Sequence, residues 1–306
     1  MERGGQATAG RAVPVMPASL PSILKLGMAL FKLRIGLAIA FSALAGALVA
    51  AGGWPAAGDS LLLLVAVLIA AGGAGGCNHY FERDIDARMV RTRERPFVAG
   101  EIEHAPRWLA LFAAMMLGGS GLAGFHFGAL AGAMTLAGAL TYSVVYTLWL
   151  KRRTEWNIVI GGASGSFAVL AGAAAVGNVL EPAVLWLAAV LFLWTPSHFW
   201  ALAIAIVEDY RRAGVPMLPV TRGRAVAARW ALVNTLLLVL CSFGLAASLG
   251  HPLVWFGTLL GSGWMLLSGL RMVREPSAKA AMGAFRASLI QLGLLLIALF
   301  LASGGS

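Results

Sequence analysis

Between Asn78 and Arg95 the chain gathers four acidic side chains and five arginines, although only 12% of its 306 residues are charged. At helical spacing Asn78, Glu82 and Asp86 stand at i, i+4 and i+8 and share one stripe, while Asp84 projects to another face. Carboxylates beside an apolar run are costly, so they are expected to have a task. Oxygen donors next to a crowd of guanidinium groups suit a ligand with two faces of its own. A magnesium-bound diphosphate is such a ligand: the acids hold the metal and the cations hold the phosphate oxygens. A second acidic-then-basic run, Glu208-Asp209-Tyr210-Arg211-Arg212, follows far along the chain. If both runs lie at the same mouth of one bundle, their carboxylates face each other across the space that two magnesium ions bridging a diphosphate would need.

The elements that must position these groups are membrane spans. The chain is 59% hydrophobic with a mean hydropathy of +0.83, and a soluble domain carries roughly twice its charged fraction. Apolar stretches of about 20 residues begin near Leu26, Ser60, Ala105, Phe127, Asn157, Pro182, Ala225, Pro252 and Phe285. Runs such as Gly72-Gly73-Ala74-Gly75-Gly76 are read as surfaces for close helix approach rather than as phosphate cradles. Charge tests the span count. The linkers Gly52–Asp59, the turn at His126, Asn178–Pro182 and His251-Pro252 contain no Lys or Arg. All 23 basic residues lie in the N-terminal segment, at span ends or in the alternate linkers. This alternation predicts a cytoplasmic N-terminus, cytoplasmic basic loops and an outer C-terminus. It also accounts for the net charge of +10 without nucleic acid as a partner; the lipid bilayer is the expected one. Both acidic runs then fall on the cytoplasmic side, separated by four spans.

Residues 1–21 are rich in Gly, Ala and Pro and read as a disordered cytoplasmic N-terminus, with residues 22–306 forming a single transmembrane domain. Cys77 and Cys241 both lie in spans and make no disulfide framework, and no Cys/His spacing resembles a zinc site. With a diphosphate as leaving group, an isoprenoid tail could lie in the dry bundle, where its allylic cation is shielded from water.

The run Asn78-xxx-Glu82-x-Asp84-x-Asp86-xx-Met89-x-Arg91-Thr92-xx-Arg95-Pro96 resembles the first signature of the UbiA-type intramembrane prenyltransferases. Three further stretches resemble the haem-farnesylating branch of that superfamily: Phe31–Ile35; Tyr146–Thr154 running into Asn157–Gly162; and Trp194-Thr195-Pro196-Ser197-His198-Phe199-Trp200 leading to Glu208–Val220, whose Met217-Leu218-Pro219 run is the most specific part. The resemblance covers roughly residues 25–300. It implies an all-α, polytopic fold of about nine transmembrane helices in a UbiA-type bundle, with Mg2+ as cofactor. It implies transfer of a farnesyl group from farnesyl diphosphate to a vinyl group of haem b, a substrate rather than a cofactor, with water adding a hydroxyl. A bacterial inner-membrane location follows, with a downstream haem-modifying enzyme or terminal oxidase assembly factors as partners.

Carried over residue by residue, Asn78, Glu82 and Asp86 hold magnesium from one side, and Asp209 with Glu208 from the other. Arg91, Arg95, Lys151 and Arg152 are the diphosphate candidates, Tyr146 orients diphosphate or acceptor, and His198 contacts haem. The chain departs from the family pattern at Glu82, where Asp is usual, and at Ser197, where a second Pro is usual. His198 lies about 15 Å along a helix from Asp209, and hydrogen bonding to a neighbouring helix, or to a carbonyl freed by Pro196, is an equal reading of it. Two competing functions remain at this stage. One is prenyl transfer to a quinone precursor or a chlorophyll-type acceptor. The other is a non-catalytic haem-handling or transport role, although a transporter would place its polar groups near the midplane.

Overall fold

A computed structural model describes residues 20–304. The expected disordered segment therefore lies outside the described residues, apart from Leu20 and Pro21, which begin helix α1 (Leu20–Leu30). The chain then runs through α2 (Leu33–Ala51), α3 (Ala57–Phe81), α4 (Arg83–Arg88), α5 (Pro96–Ala99), α6 (Arg107–Phe127) and α7 (Ala129–Leu140). A π-helical segment, Thr141–Leu150, continues α7. After it come α8 (Asn157–Gly161), α9 (Ala163–Ala175), α10 (Pro182–Ala205), α11 (Val207–Arg212), α12 (Leu218–Thr221), α13 (Arg224–Leu249), α14 (Pro252–Arg274) and α15 (Ala278–Ala302).

Among the described residues, nine helices are long and apolar enough to cross a membrane. Seven begin within a few residues of the sequence expectation. The ninth, Ala278–Ala302, begins earlier than Phe285 and includes Lys279 and Arg286, long side chains that can snorkel from a helix end. The first span also differs. It is not continuous from Leu26, because the helix breaks at Phe31-Lys32 and restarts at Leu33. Lys32 has φ 49, the only left-handed non-glycine backbone among the described residues. Such a conformation is strained for a residue with a Cβ and is often held at functional sites.

The spans pack in chain order and close on themselves: α2 on α3, α3 on α6, α6 on α7, α7 on α9, α9 on α10, α10 on α13, α13 on α14, α14 on α15, and α15 back on α2. Small residues permit this. A Cβ added to Gly76 would lie 2.3 Å from the Phe112 ring, and one on Gly73 would lie 2.6 Å from the Phe112 carbonyl oxygen. In lipid, where apolar surface gains nothing by leaving water, that fit is the main source of helix association.

The two acidic runs occupy equivalent positions in the fold. Span α3 breaks at Glu82 and continues as the short α4; span α10 breaks at Ile206 and continues as the short α11. Each is followed by a short linker, turns over residues 90–94 in the first case, and then by a four-residue helix with proline in its first turn, α5 and α12, entered through Arg95 (φ −68, ψ 147) and Met217 (φ −71, ψ 148). The two acidic-then-basic runs of the sequence are thus set in a repeated structural device.

Candidate functional site

Although α3 ends at Phe81, its hydrogen-bond ladder crosses the break. Glu82 N donates to Asn78 O (3.0 Å) and Asp86 N donates to Glu82 O (2.7 Å). The stripe expected from spacing therefore forms, and Asn78, Glu82 and Asp86 are each only 2% exposed. Asp84 falls outside it, as expected, and is exposed.

Four cations or hydroxyls converge on the stripe. Lys151 Nζ donates to Glu82 Oε1 at 2.6 Å. Arg95 donates to Asp86 Oδ2 at 2.6 Å and lies 3.8 Å from Glu82 Oε2. Asn78 Nδ2 donates to Thr147 Oγ1 (2.9 Å), and Lys32 Nζ donates to Asn78 Oδ1 and to Tyr142 OH (3.0 Å). The π-helical segment makes this convergence possible. Its wider turn places Thr147 five residues after Tyr142, whose carbonyl accepts from Thr147 Oγ1 at 2.8 Å, and Lys151 N donates to the Tyr146 carbonyl at 2.9 Å. Such i→i+5 turns recur at functional sites. Tyr146 stacks on Tyr142, and Lys151 Nζ sits 5.6 Å from the Tyr146 ring centre.

Burial opposes ionisation of Glu82, but the charges of Lys151, Lys32 and Arg95, with the Lys151 hydrogen bond, outweigh it and hold its pKa below the ordinary value. Asp86 goes the other way: burial raises its pKa and the neighbouring Glu82 charge adds to the rise, against the pull of Arg95. The protein's own cations thus fully support one carboxylate and not the other. Asp86 keeps its 2.6 Å pair with Arg95, and hard oxygen donors gathered this closely fit a further hard cation. Among the described residues no three His, Cys, Asp or Glu side chains gather closely enough to enclose a metal alone. That suits magnesium, which keeps several water or substrate oxygens rather than a complete protein cage.

The second acidic run sits beside the first. Ile85 and Met89, from α4 and the residue that ends it, share an apolar cluster with Tyr210, Ala213, Val215 and Met217. The two carboxylates of that run are not equivalent. Asp209 has a side chain only 12% exposed and pairs with Arg212; Glu208 is 61% exposed and pairs with Arg211. Of the other diphosphate candidates, Arg152 is engaged by Asp84 (2.6 and 2.8 Å) and by the Phe81 carbonyl (2.9 Å). Arg91 is exposed and makes no hydrogen bond or ion pair among the described residues. His198 Nδ1 meets Ser288 Oγ on α15 at 2.8 Å, and its ring lies 4.3 Å from both Trp194 and Phe285. Helix-to-helix hydrogen bonding is therefore its observed role here, with no hydrogen bond to Nε2 among the described residues. Ser197, where a second proline was expected, contacts Thr235 Oγ1 (3.0 Å) and accepts from Asn234 (2.7 Å), tying α10 to α13.

Reasoning from sequence missed Lys32, Tyr142 and Thr147 as members of the site. The signal for Lys32 was present, since a lone ammonium inside an apolar span is a functional candidate by default.

An apolar cavity opens from the Lys32–Tyr142 end of this centre. It runs between α2, α3, α7 and α9 and holds about 590 Å³ of empty space, part of it open to solvent. A buried oxygen-donor stripe, clamped by cations at the mouth of a greasy cavity among nine candidate spans of the described residues, has the parts that an intramembrane enzyme for a substrate with a diphosphate head and an apolar tail would need.

The pattern of the UbiA prenyltransferase family matches residues 39–303, and the chain belongs to that family. It is an integral, multi-pass membrane protein. It is 49% identical over 275 residues to Protoheme IX farnesyltransferase 2 of Paramagnetospirillum magneticum, covering 90% of this chain and 96% of that one. It is 40% identical over 298 residues to Protoheme IX farnesyltransferase of Verminephrobacter eiseniae, covering 95% and 98%. A Thermus thermophilus protein of the same name is 42% identical, but the match spans 45% of that longer chain. Among solved structures, a UbiA homologue from Archaeoglobus fulgidus bound to DMAPP and Mg2+ superposes with a TM-score of 0.71 at 14% identity, covering 92% of this chain and 99% of that one. A digeranylgeranylglyceryl phosphate synthase superposes at 0.73 and 19%, covering 92% and 98%. At those identities the likeness concerns the fold.

Proposed function

We propose that this chain transfers a farnesyl group from farnesyl diphosphate to a vinyl group of haem b, with water adding a hydroxyl to the other vinyl carbon, giving haem O and diphosphate. The observation that carries the reading is the buried Asn78–Glu82–Asp86 stripe, clamped by Lys151 and Arg95 at the mouth of an apolar cavity. The relatives' names supply the acceptor. Asn78, Glu82 and Asp86 would hold magnesium from α3 and α4, and Asp209, with Glu208 at the solvent edge, from α11. Bound there, magnesium supplies positive charge to the diphosphate oxygens and makes them a better leaving group.

The chain's own residues do the rest. Lys151 and Arg95, which pair here with Glu82 and Asp86, would offer their N–H donors to phosphate oxygens as negative charge grows on them. Arg91 and Arg152 act from the rim, and Tyr146 orients the head group. The apolar cavity keeps water from the allylic carbon until the haem vinyl carbon has attacked it. His198, deeper in the bundle, would meet the acceptor through Nε2. The N-terminus and basic loops would be cytoplasmic, the C-terminus outside, in a bacterial inner membrane. The haem O would pass to a haem-modifying enzyme or to oxidase assembly factors.

The test is reconstitution of purified protein with haem b, farnesyl diphosphate and magnesium, followed by chromatography of the haem. A more hydrophobic haem species, formed only with magnesium, is expected. Prenylation of 4-hydroxybenzoate or a chlorophyllide with haem ignored would overturn the acceptor. Binding of haem with no turnover under any condition would overturn catalysis.

A further inference from the structure

Away from the polar centre, charge and apolar surface meet again on the outside of the bundle. The end of α14 and the start of α15 surround a recess lined by Arg271, Arg274, Glu275, Lys279 and Gly283. Through Ser268 and Arg271 it runs on into an apolar groove along α14, lined by Leu260, Gly263, Trp264 and Leu267. Leu260, Trp264, Leu267, Arg271 and Arg274 follow at steps of three and four residues, so they form one stripe of the helix. The three apolar members of that stripe are exposed. Glycine keeps both parts open, since a Cβ on Gly263 or Gly283 would meet nothing within 4 Å. As the second, sixth and eighth candidate spans, α3, α10 and α14 end on the same face, so the recess lies on the side of the bundle that carries the acidic runs.

Two observations distinguish this recess from an ordinary solvated helix end. First, three cations and an acid surround one space without neutralising each other. None of the side chains of Arg271, Arg274, Glu275 and Lys279 makes an ion pair or a hydrogen bond among the described residues. At the acidic runs, in contrast, Arg152 pairs with Asp84, Arg211 with Glu208 and Arg212 with Asp209. Second, Ser268 is only 8% exposed, yet it lines both the recess and the groove. A hydroxyl inside a helix commonly donates to the carbonyl one turn back, as Thr235 Oγ1 does to Ala231 O (2.8 Å) and Ser242 Oγ to Leu238 O (2.9 Å). Ser268 makes no such bond, and its Oγ is not among the fully enclosed unpaired polar atoms. Its donor is therefore free and opens on the space it lines.

From this arrangement we infer that α14 and α15 hold an anionic phospholipid of the surrounding bilayer. The phosphate would lie among Arg271, Arg274 and Lys279, an ester oxygen would accept from Ser268 one turn deeper, and an acyl chain would follow Leu267, Trp264 and Leu260. Basic pockets where spans meet the membrane surface recognise lipid headgroups in this way. Glu275 selects among headgroups. Three cations and one acid leave the recess two positive charges, which suits a phosphodiester with its single negative charge, whereas a diphosphate would crowd several negative charges against Glu275. A glycerol headgroup brings hydroxyls that can donate to Glu275. A choline headgroup brings a cation among three others and no donor. Phosphatidylglycerol has the required parts. The recess shares no residue with the cavity beside Lys32, so the inference does not rest on the reading of the polar centre.

The native protein, delipidated in detergent, can be titrated with dioleoyl phosphatidylglycerol or dioleoyl phosphatidylcholine, and the bound lipid counted by native mass spectrometry at fixed ionic strength. The first phosphatidylglycerol should bind at least tenfold more tightly than the first phosphatidylcholine. Two triple variants with the same loss of charge separate a site from general attraction to a basic face. Arg271→Gln/Arg274→Gln/Lys279→Gln should reduce the preference to threefold or less. Arg153→Gln/Arg224→Gln/Arg229→Gln, which removes three exposed cations at other span ends of the same face, should keep it. Ser268→Ala should weaken the first phosphatidylglycerol at least threefold. No preference on the native protein, or equal loss of preference in the two triple variants, would overturn the site. Displacement of the bound phosphatidylglycerol by an equal concentration of inorganic phosphate or of haem b would also overturn it, by making the recess a site for a free anion or for a different amphiphile.

Discussion

The buried ion pair between Lys151 and Glu82 should show a double-mutant signature that separates stability from turnover. The ammonium lies 2.6 Å from one Glu82 oxygen and the Arg95 guanidinium 3.8 Å from the other. At an effective dielectric constant of about 20, those separations correspond to gross attractions of about 6 and about 4 kcal/mol. Lys151→Met keeps the length of the side chain and removes the larger attraction, so Glu82 is left with Arg95 alone. Removing one member of a buried pair costs about 3–5 kcal/mol; with Arg95 still present, the low end, about 3 kcal/mol, is expected. Glu82→Gln should cost a similar amount, because it leaves the ammonium buried without its anion. The double variant replaces the pair with two neutral groups of similar volume, an exchange that is often neutral, so it should return to within about 1 kcal/mol of the native protein. Thermal unfolding in detergent at one fixed scan rate reads this as an apparent Tm lowered by roughly 6 °C or more in each single variant and largely restored in the double. Turnover should not return. Each single variant and the double should lose at least about a hundredfold, since the donor aimed at the leaving group is gone in every case but Glu82→Gln, and the metal ligand is gone there. Additive losses of stability in the double variant would mean that the two side chains are not coupled. A stable double variant with turnover within tenfold of native would refute the assignment of this pair to the reaction.

Three further outcomes follow from the same geometry. Asp86→Asn should cut magnesium-dependent turnover by orders of magnitude, whereas Asp84→Asn should be milder, because Asp84 is exposed and holds Arg152 rather than the centre; the reverse order in membranes with equal protein would mean that the stripe is wrongly drawn. Asp209→Ala should be more damaging than Glu208→Ala, since only Asp209 is directed into the protein, and equal losses would place both in the site. With Cys77 and Cys241 replaced, cysteines at Gly177 and His251 should label from the outer face and those at Arg93 and Arg222 from the cytoplasmic face; cytoplasmic labelling at His251 would contradict the span count in the second half.

Much of the bundle was legible because lipid imposes a simple rule: every backbone polar group must be satisfied within the span, so spans read as long apolar runs. Charge then stands out against them, which is why the stripe at Asn78, Glu82 and Asp86 could be drawn from spacing alone and why the second run at Glu208-Asp209 was found. Spacing could not say that Asp209 is buried while Glu208 is exposed. That difference depends on how α11 turns after the break at Ile206, where neither glycine nor proline marks the change of direction.

The missed residues fail for a related reason. Lys32 reaches Asn78 and Tyr142 because the helix breaks beneath it, and the break rests on a left-handed lysine, a conformation that no local preference encodes. Tyr142, Thr147 and Lys151 share a face only in the π-helical register; α-helical periodicity aligns Tyr142 with Tyr146 and sends Thr147 elsewhere. Both devices are locally unfavourable, and both deliver a side chain to the same small volume between α3, α4 and the cavity mouth. Local preference and structure part company where the chain must hold opposite charges away from water and beside grease. The positions at which sequence reasoning goes wrong are therefore informative in themselves. They fall at the break in the first span and at the wide turn in the fourth, the two places from which this fold feeds its polar centre with groups that an unbroken bundle could not supply.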